Sequence, residues 1–232
     1  MNRVMRDYIA TKSTSVRRFC IEQTLFLFLQ NIPSFFGVML RGIAYRLIVP
    51  AFGFFGIEEN VQLCHTKKLK LGKNVFIGRN SYISASDGGI SVGDNACFVS
   101  DCYINVFNYN KRMGKKIVIG RNVVFSHGCA IHGHSGVEIG DDTIFGPGTT
   151  IVTGNHGNLS TETDFRHTEV LTDTPVIIGK NVWVGTNVSI LPGVKIGDGV
   201  VIGAGAVVTH DLEASAIYAG NPAKLLRKLG AQ

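Results

Sequence analysis

Three histidines lie in two short polar segments, and their residue type and spacing suggest chemistry. His132 and His134 belong to the segment HGHSG, and His156 ends the segment TGNH. An imidazole titrates near neutral pH, so such a histidine can act as a general base that takes the proton of an attacking hydroxyl group. Three histidines close together could in principle also hold a metal ion. The choice depends on the elements that position them.

The segment that carries these histidines has a period of six residues. From Leu71 onward an aliphatic residue or Phe recurs at this spacing, often followed by Gly, most clearly in IGKNVWVGTNVSILPGVKIGDGVVIGAGAV from Ile178 to Val207. A six-residue unit cannot bury its apolar residue alone, so the units must stack, three per coil, into a triangular parallel β-helix. We predict an all-β fold of about six coils, whose inward residues are Leu71, Ile77, Ile83, Val92, Phe98, Ile104, Ile119, Phe125, Ile131, Ile139, Phe145, Ile151, Ile178, Val184, Ile190, Ile196, Ile202 and Val208.

Four insertions interrupt this period, and all of them fall at the same point of the coil. They follow the third, sixth, ninth and twelfth units, at Ile83, Ile104, Ile131 and Ile151. We therefore expect every insertion to leave one edge of the prism, where functional loops would gather on a rigid scaffold. His156 lies at the start of the longest insertion, and His132 and His134 lie one insertion earlier on the same edge.

The N-terminal residues lack this period and differ in charge. From Phe19 to Ile57 the chain is rich in Leu, Phe and Ile, which predicts short helices broken at Pro33 and Pro50. Residues 1–50 hold seven basic side chains and two acidic ones, whereas the rest of the chain holds 16 and 15. An excess of positive charge confined to an apolar segment favours an anionic membrane surface over nucleic acid as the partner.

Polar residues interrupt the apolar run, so we predict no membrane-spanning helix. Residues 1–57 fit amphipathic helices in the membrane interface, with Phe26, Phe28, Phe35 and Phe36 as candidates for the buried face. A helical cap on the core or on a neighbouring subunit explains the same residues, and both interpretations stay open. The five cysteines form no CxxC pair and no secretory signal opens the sequence, which favours free thiols and a cytoplasmic protein, with any membrane contact at the inner face.

Three features together resemble the hexapeptide-repeat acyltransferases, in particular the galactoside, maltose and colanic-acid O-acetyltransferases. They are the repeat array, the TGNH segment at Thr153–His156, and the segment IGAGAVVTHDLEASAIYAGNPAKLLRK from Ile202 to Lys228. The resemblance covers about Leu69 to Leu229. It implies that the β-helix is left-handed, that the protein is a homotrimer with each active site between neighbouring β-helices, and that acetyl-CoA is the co-substrate, with no metal required. We expect a helical extension at 1–60, a β-helix catalytic domain at 61–212 and a tail with a short helix at 213–232.

The resemblance also assigns roles to individual residues. It makes His156 the general base and His134 the runner-up base or a supporting residue, with His132 and Asn155 near the acceptor. The residues expected to bind CoA are Trp183, Gly185, Thr186, Ala204, Thr209, Lys224 and Arg227. Among these, the backbone of Gly185 and Thr186 would stabilise the oxyanion, and Lys224 and Arg227 would approach the phosphates. Most family members have Lys after the Thr, whereas this chain has His210, which weakens one expected phosphate contact.

The implied activity is transfer of acetyl from acetyl-CoA to a hydroxyl group of a saccharide or lipid-linked saccharide, in the biosynthesis of a surface polysaccharide. Two alternatives stay open. One is an N-acetyltransferase that acts on an amino sugar nucleotide, because it would use a similar base. The other is a non-catalytic β-helix subunit, because hexapeptide repeats also build structural proteins.

Overall fold

The computed structural model describes residues 2–86, 88–106, 115–156, 170–171 and 174–230, with backbone alone for residues 156, 170 and 171. Three helices open the chain, α1 Arg3–Lys12, α2 Val16–Leu29 and α3 Ser34–Ala44, and short 3-10 turns follow at Tyr45–Leu47 and Thr66–Lys68. Among the described residues, no helix has both the length and the apolar composition needed to cross a bilayer.

Short strands make up most of the remaining chain. Before the first complete coil come β1 Phe55–Ile57 and β2 Gln62–Cys64. The first four coils contain β3 Leu69–Leu71, β4 Val75–Ile77, β5 Tyr82–Ser84, β6 Ile90–Val92, β7 Cys97–Phe98, β8 Tyr103–Asn105, β9 Ile117–Ile119, β10 Val124–Phe125, β11 Ala130–His132, β12 Val137–Ile139, β13 Ile144–Phe145 and β14 Thr150–Val152. After them come β15 Asn155–His156, β16 Val170–Leu171, β17 Val176–Ile178, β18 Trp183–Val184, β19 Ser189–Ile190, β20 Lys195–Ile196, β21 Val201–Ile202, β22 Val207–Val208, β23 Ala216–Ala219 and β24 Lys224–Lys228.

The strands stack into three sheets that form the faces of a triangular prism. Sheet A has the order β3-β6-β9-β12-β17-β20, sheet B the order β1-β4-β7-β10-β13-β18-β21-β23-β24, and sheet C the order β2-β5-β8-β11-β14-β19-β22. All eighteen predicted inward residues are buried. Equivalent residues stack in register, as in the parallel rings of Phe98, Phe125 and Phe145, whose centroids are 5.1 and 4.7 Å apart. The predicted left-handed parallel β-helix of six complete coils is confirmed.

The insertions leave the prism at a single edge, as predicted. Each of them connects a strand of sheet C to the next strand of sheet A, and we call this the CA edge. The AB and BC edges are tight turns whose residues adopt the left-handed backbone conformation, which Gly, Asn and Asp tolerate best. At the AB edge Asn74, Asn95, Asn122 and Asp142 have φ values of 55–61°, and their side chains form a hydrogen-bonded ladder along the helix axis.

The β-helix extends further in both directions than the sequence period indicated. Ala51 forms a bridge with Leu71, and β1 pairs in parallel with β4, so stacking begins before residue 61. The short helix predicted in the tail is wrong, because β24 pairs antiparallel with β23 instead. The hydrogen-bonding groups at the open end of sheet B provide partners for Lys224–Lys228 and override the helix propensity of the sequence KLLRK.

The predicted helical extension is present and covers one end of the β-helix. On α2, Leu25, Phe26 and Leu29 pack against the core, and the Phe26 ring contacts the edge of Tyr45 at 5.5 Å. Phe26 is therefore a packing residue, and its assignment to a membrane-facing surface is wrong. Arg41 of α3 is buried, and its guanidinium donates to the carbonyl groups of Leu29, Ile32 and Ile57 at 2.7–2.8 Å.

Candidate functional site

The longest insertion begins with an ordered segment at the CA edge. After β14 the chain passes through Thr153 and Gly154 into β15, which pairs antiparallel with β16. In this pair Asn155 lies opposite Leu171 and His156 opposite Val170, outside the three main sheets. The structure therefore places the backbone of His156 at the edge that the sequence predicted, and the His156 side chain lies outside the described part of the chain.

Thr153 ties the TGNH segment to the HGHSG segment. Its side chain is fully buried, and its hydroxyl group donates to the carbonyl of His132 at 3.1 Å and accepts from the N–H of Ser135 at 2.8 Å. The Thr153 carbonyl in turn accepts from the hydroxyl groups of Ser135 and Thr174. Because one buried residue holds both segments, the insertions that carry the three histidines start from a single rigid support.

Replacing Thr153 with Val should lower the free energy of unfolding by about 1–3 kcal/mol, because the buried N–H of Ser135 loses its acceptor. If Thr153 positions His156, kcat should fall about tenfold, a typical cost of losing orientation, while KM changes little. Chemical denaturation and steady-state kinetics measure the two effects. Thr153→Ser keeps the hydroxyl group and should restore kcat; a Ser variant as slow as the Val variant would contradict a positioning role.

His132 and His134 lie next to this hydrogen-bonded support around Thr153. His132 is the last residue of β11, in register with Asn105 and Val152, and His134 follows in the turn. Burial lowers the pKa of both imidazoles, and for His134 the nearby His132 lowers it further. Both rings are therefore neutral at pH 7. The Nδ1 atom of His134 is buried and has no hydrogen-bond partner among the described residues. A neutral ring can accept a proton or a hydrogen bond, so the runner-up role of His134 is chemically consistent.

A pair of stacked tyrosines leads along sheet C toward His132. The rings of Tyr82 and Tyr103 are 5.1 Å apart and nearly parallel, and Tyr103 lies 5.3 Å from the imidazole of His132. Asn105 donates to the hydroxyl group of Tyr103 at 3.1 Å. None of the predictions from the sequence includes this surface. The signal was present, because both tyrosines occupy the outward position before an inward Ile in successive coils.

The residues expected to bind CoA lie mainly on sheet B and the BC edge. Trp183 points outward from β18 and is 61% exposed. Its column continues through Val201 and Ile217 to Arg227, in register across four strands. Lys224 is exposed on the same terminal strand.

The BC turns hold Gly185, Thr186 and Ala204, which connect strands of sheet B to strands of sheet C. The N–H of Gly185 donates to the carbonyl of Ile202 at 2.8 Å, so in this structure it is not free to bind an oxyanion. The sheet ladder requires this bond, and the residue has no second N–H. The N–H of Thr186 has no acceptor among the described residues and stays a candidate donor.

Within one chain the structure does not bring all these residues together. His132, His134, Asn155, the backbone of His156 and Thr209 lie at the CA edge, whereas Trp183, Thr186, Ala204 and Arg227 lie at sheet B and the BC edge. A strand of sheet C separates the two edges, which is about five residues or roughly 16 Å of extended backbone. The two groups of residues therefore lie at different edges of the prism in one chain.

Metal-dependent and cysteine-based chemistry find less support in the described residues. In the described ranges no three His, Cys, Asp or Glu side chains are arranged to hold a metal ion. All five cysteines are free, and burial raises the pKa of Cys102 to about 12 and that of Cys129 to about 11. These two thiols stay protonated at neutral pH, so they are poor nucleophiles.

Comparison with known proteins identifies the repeat. Residues 175–210 match the bacterial transferase hexapeptide (six repeats), and residues 68–97 match the hexapeptide repeat of succinyl-transferase. No curated protein sequence matches the chain. The matches lie near the two ends of the β-helix and confirm the predicted resemblance to hexapeptide-repeat transferases.

Solved structures of an N-acyltransferase share this fold. AntD, an N-acyltransferase from Bacillus cereus in complex with dTDP and 3-hydroxybutyryl-CoA, is 23% identical with a TM-score of 0.52, covering 79% of this chain and 85% of that chain. An AntD mutant in complex with dTDP and Coenzyme A is 20% identical with a TM-score of 0.54, covering 79% and 86%. A maltose O-acetyltransferase from Clostridium difficile 630 is 24% identical with a TM-score of 0.44, covering 91% and 86%.

Proposed function

We propose that this hexapeptide-repeat chain is an acyltransferase that moves an acetyl group from acetyl-CoA to a hydroxyl group of a saccharide, in the biosynthesis of a surface polysaccharide. The observation that carries the proposal is the convergence of the histidine segments at the CA edge, joined by the buried Thr153. General-base catalysis needs such a rigid support, because the proton acceptor must stay within hydrogen-bond reach of the proton that it takes.

In the proposed reaction His156 takes the proton of the acceptor hydroxyl group as its oxygen attacks the thioester carbonyl carbon. The N–H of Thr186 donates to the developing oxyanion. When the C–S bond breaks, the thiolate of CoA leaves and takes the proton from the imidazolium of His156. The neutral rings of His132 and His134 accept hydrogen bonds from hydroxyl groups of the saccharide. Because burial disfavours their protonation, His156 is the residue that becomes positively charged.

The donor groove of the proposed site lies on the outer face of sheet B. The column from Trp183 to Arg227 spans three strand spacings, roughly 14 Å at 4.8 Å each, which suits an extended pantetheine arm. Arg227 and Lys224 at its far end offer exposed cations to the phosphates. Fold relatives crystallised with CoA or 3-hydroxybutyryl-CoA support this choice of donor.

We place each active site between two subunits of a homotrimer. The donor groove of one chain and the CA edge of its neighbour then form one cleft, which resolves the separation found within a single chain. The outer face of sheet B supports this arrangement, because its central column consists of apolar or thiol side chains in register, namely Phe76, Cys97, Val124, Ile144, Trp183, Val201 and Ile217.

The acceptor would approach along sheet C. Tyr82 and Tyr103 stack on each other beside His132, so the stack offers ring edges and hydroxyl groups, which can contact and hydrogen-bond a saccharide. This stack favours a saccharide over a small charged acceptor. Free cysteines and the need for acetyl-CoA are consistent with a reaction on the cytoplasmic side of the cell.

Release of CoA from acetyl-CoA with a panel of acceptors tests this proposal. We expect neutral saccharides with free hydroxyl groups to stimulate release, because their hydroxyl group is the proposed nucleophile, and mass spectrometry of the product should show an ester. Stimulation by an amino sugar nucleotide alone, with an amide product, would show N-acetylation instead. If no acceptor stimulates release although the protein is folded, the chain is a structural β-helix subunit.

A further inference from the structure

Large apolar side chains are exposed on the helical extension. Between α2 and β1 they are Leu27, Phe28, Phe35, Phe36, Ile43, Leu47, Phe52 and Phe54, with exposed fractions from 42% to 78%. Single exposed apolar residues are normal on protein surfaces. Eight within 28 residues form a concentration that marks an interaction surface.

The exposed residues of α3 share one side of the helix. At 100° per residue, positions 35, 36, 39, 40 and 43 fall within an arc of about 140°. This surface, which we call the α3 face, consists of Phe35, Phe36, Met39, Leu40 and Ile43. Phe35, Phe36 and Ile43 are 64–77% exposed, and Met39 and Leu40 are half-buried.

The opposite side of α3 is fixed against the rest of the chain. A Cβ atom on Gly37 would lie 2.0 Å from the carbonyl oxygen of Ile32, and one on Gly42 would lie 2.7 Å from that of Phe55. Between these close approaches lies Arg41 with its buried hydrogen bonds. The helix cannot turn to bury its apolar face within the same chain, so that face needs an external partner.

Most exposed charges of the extension are positive, whereas the half-buried Glu58 and Glu59 line a cavity beside Phe35 and Glu58 pairs with Arg79. Arg18 pairs with the buried Glu22, and Arg3 pairs with Asp7. Arg6, Arg17 and Arg46 are exposed, and the described ranges offer none of them an acidic partner. Arg46 lies between Ile43 and Leu47 in the chain, directly beside the apolar residues.

We propose that the α3 face lies in the interface of an anionic phospholipid bilayer, with Arg46 among the lipid headgroups. The apolar side chains of the α3 face match the boundary of the lipid acyl chains, and the adjacent Arg46 matches the negatively charged headgroup layer. A second copy of the chain is a poorer partner for this basic region, because every copy carries a formal net charge of +6. Such docking would hold the enzyme where lipid-linked saccharides are found.

Co-sedimentation of the full chain with vesicles tests the proposal. The vesicles are phosphatidylcholine containing about a third phosphatidylglycerol, a surface charge that attracts basic segments. We expect the native protein to bind these vesicles, more weakly at high salt, and to bind pure phosphatidylcholine less. The double variant Phe35→Ser/Ile43→Ser should bind about tenfold more weakly because it loses two inserted side chains, and Arg46→Glu should weaken binding severalfold.

Ile177→Ser is the matched control, because Ile177 is an exposed Ile on the outer face of sheet A. It should bind vesicles like the native protein, and all variants should keep the native circular dichroism spectrum. Native protein that stays in the supernatant, or variants that bind as tightly as native, would overturn the proposal. Variants that change the size of the assembly would identify a second copy as the partner. Acetyl transfer to a soluble acceptor should persist in the variants, which separates this test from that of the proposed function.

Discussion

The His156→Ala variant is expected to lose acetyl transfer almost completely, with kcat about 1000-fold below that of the native chain. A positioned general base contributes about 100- to 10,000-fold, and no other proton acceptor replaces it at the same atom. The variant should fold normally, because β15 lies outside the three sheets and its pairing uses the backbone. Initial rates of CoA release at saturating acetyl-CoA and acceptor measure the effect, and thermal melting checks the fold.

His127→Ala is a suitable control, since His127 is exposed in a BC turn and bonds to Ser100 rather than to the histidine segments. Its rate should stay within about twofold of native, as expected for a surface substitution.

In the native protein kcat/KM should rise with pH through the pKa of the base and then level off, and this rise should disappear in His156→Ala. A larger loss in His134→Ala than in His156→Ala would transfer the role of base to His134.

The sequence was most informative about the scaffold, for a physical reason. An apolar residue every six positions can be buried only by stacking, so the period determines which side chains point inward and where each insertion leaves the coil. The same register identifies Tyr82 and Tyr103 as neighbours on one face. It also assigns Thr186 to the BC edge and Thr153 to the CA edge. The separation of these two edges within one chain thus follows from the register as well as from the structure.

Features without the period were predictable only in part. Arg41 is one of the seven basic residues before position 50, and composition does not reveal that its side chain replaces the missing hydrogen bonds at the end of α2. The segment KLLRK has the composition of a helix and becomes a strand because sheet B has an open edge. The hydrogen bond from Gly185 to Ile202 could not be predicted either. A sequence motif indicates which residue lies at a site, but only the hydrogen bonds of the sheet show whether its N–H is already occupied.

A charge on the outer face of sheet B should separate the subunits and abolish activity without touching any histidine. Ile144 is 48% exposed and lies next to Trp183 in the apolar column of β13 and β18. In Ile144→Asp the carboxylate would be buried without a partner in the proposed interface, which costs several kcal/mol. We expect monomers by sedimentation velocity and a loss of acetyl transfer of about 100-fold, because each CA edge then lacks the donor groove opposite it.

Ile177→Asp provides the matched control, because Ile177 occupies an outward position on sheet A between Glu138 and Lys195, whose charges indicate a solvated face. This variant should stay trimeric, active and as heat-stable as the native protein, whereas the Ile144→Asp monomers should keep the native circular dichroism spectrum but melt at a lower temperature, because they lose the stabilisation by association. An Ile144→Asp protein that is monomeric and fully active would contradict a site shared between chains. Trimers that are inactive would show instead that Ile144 acts on the donor groove itself, because Trp183 lies one strand away.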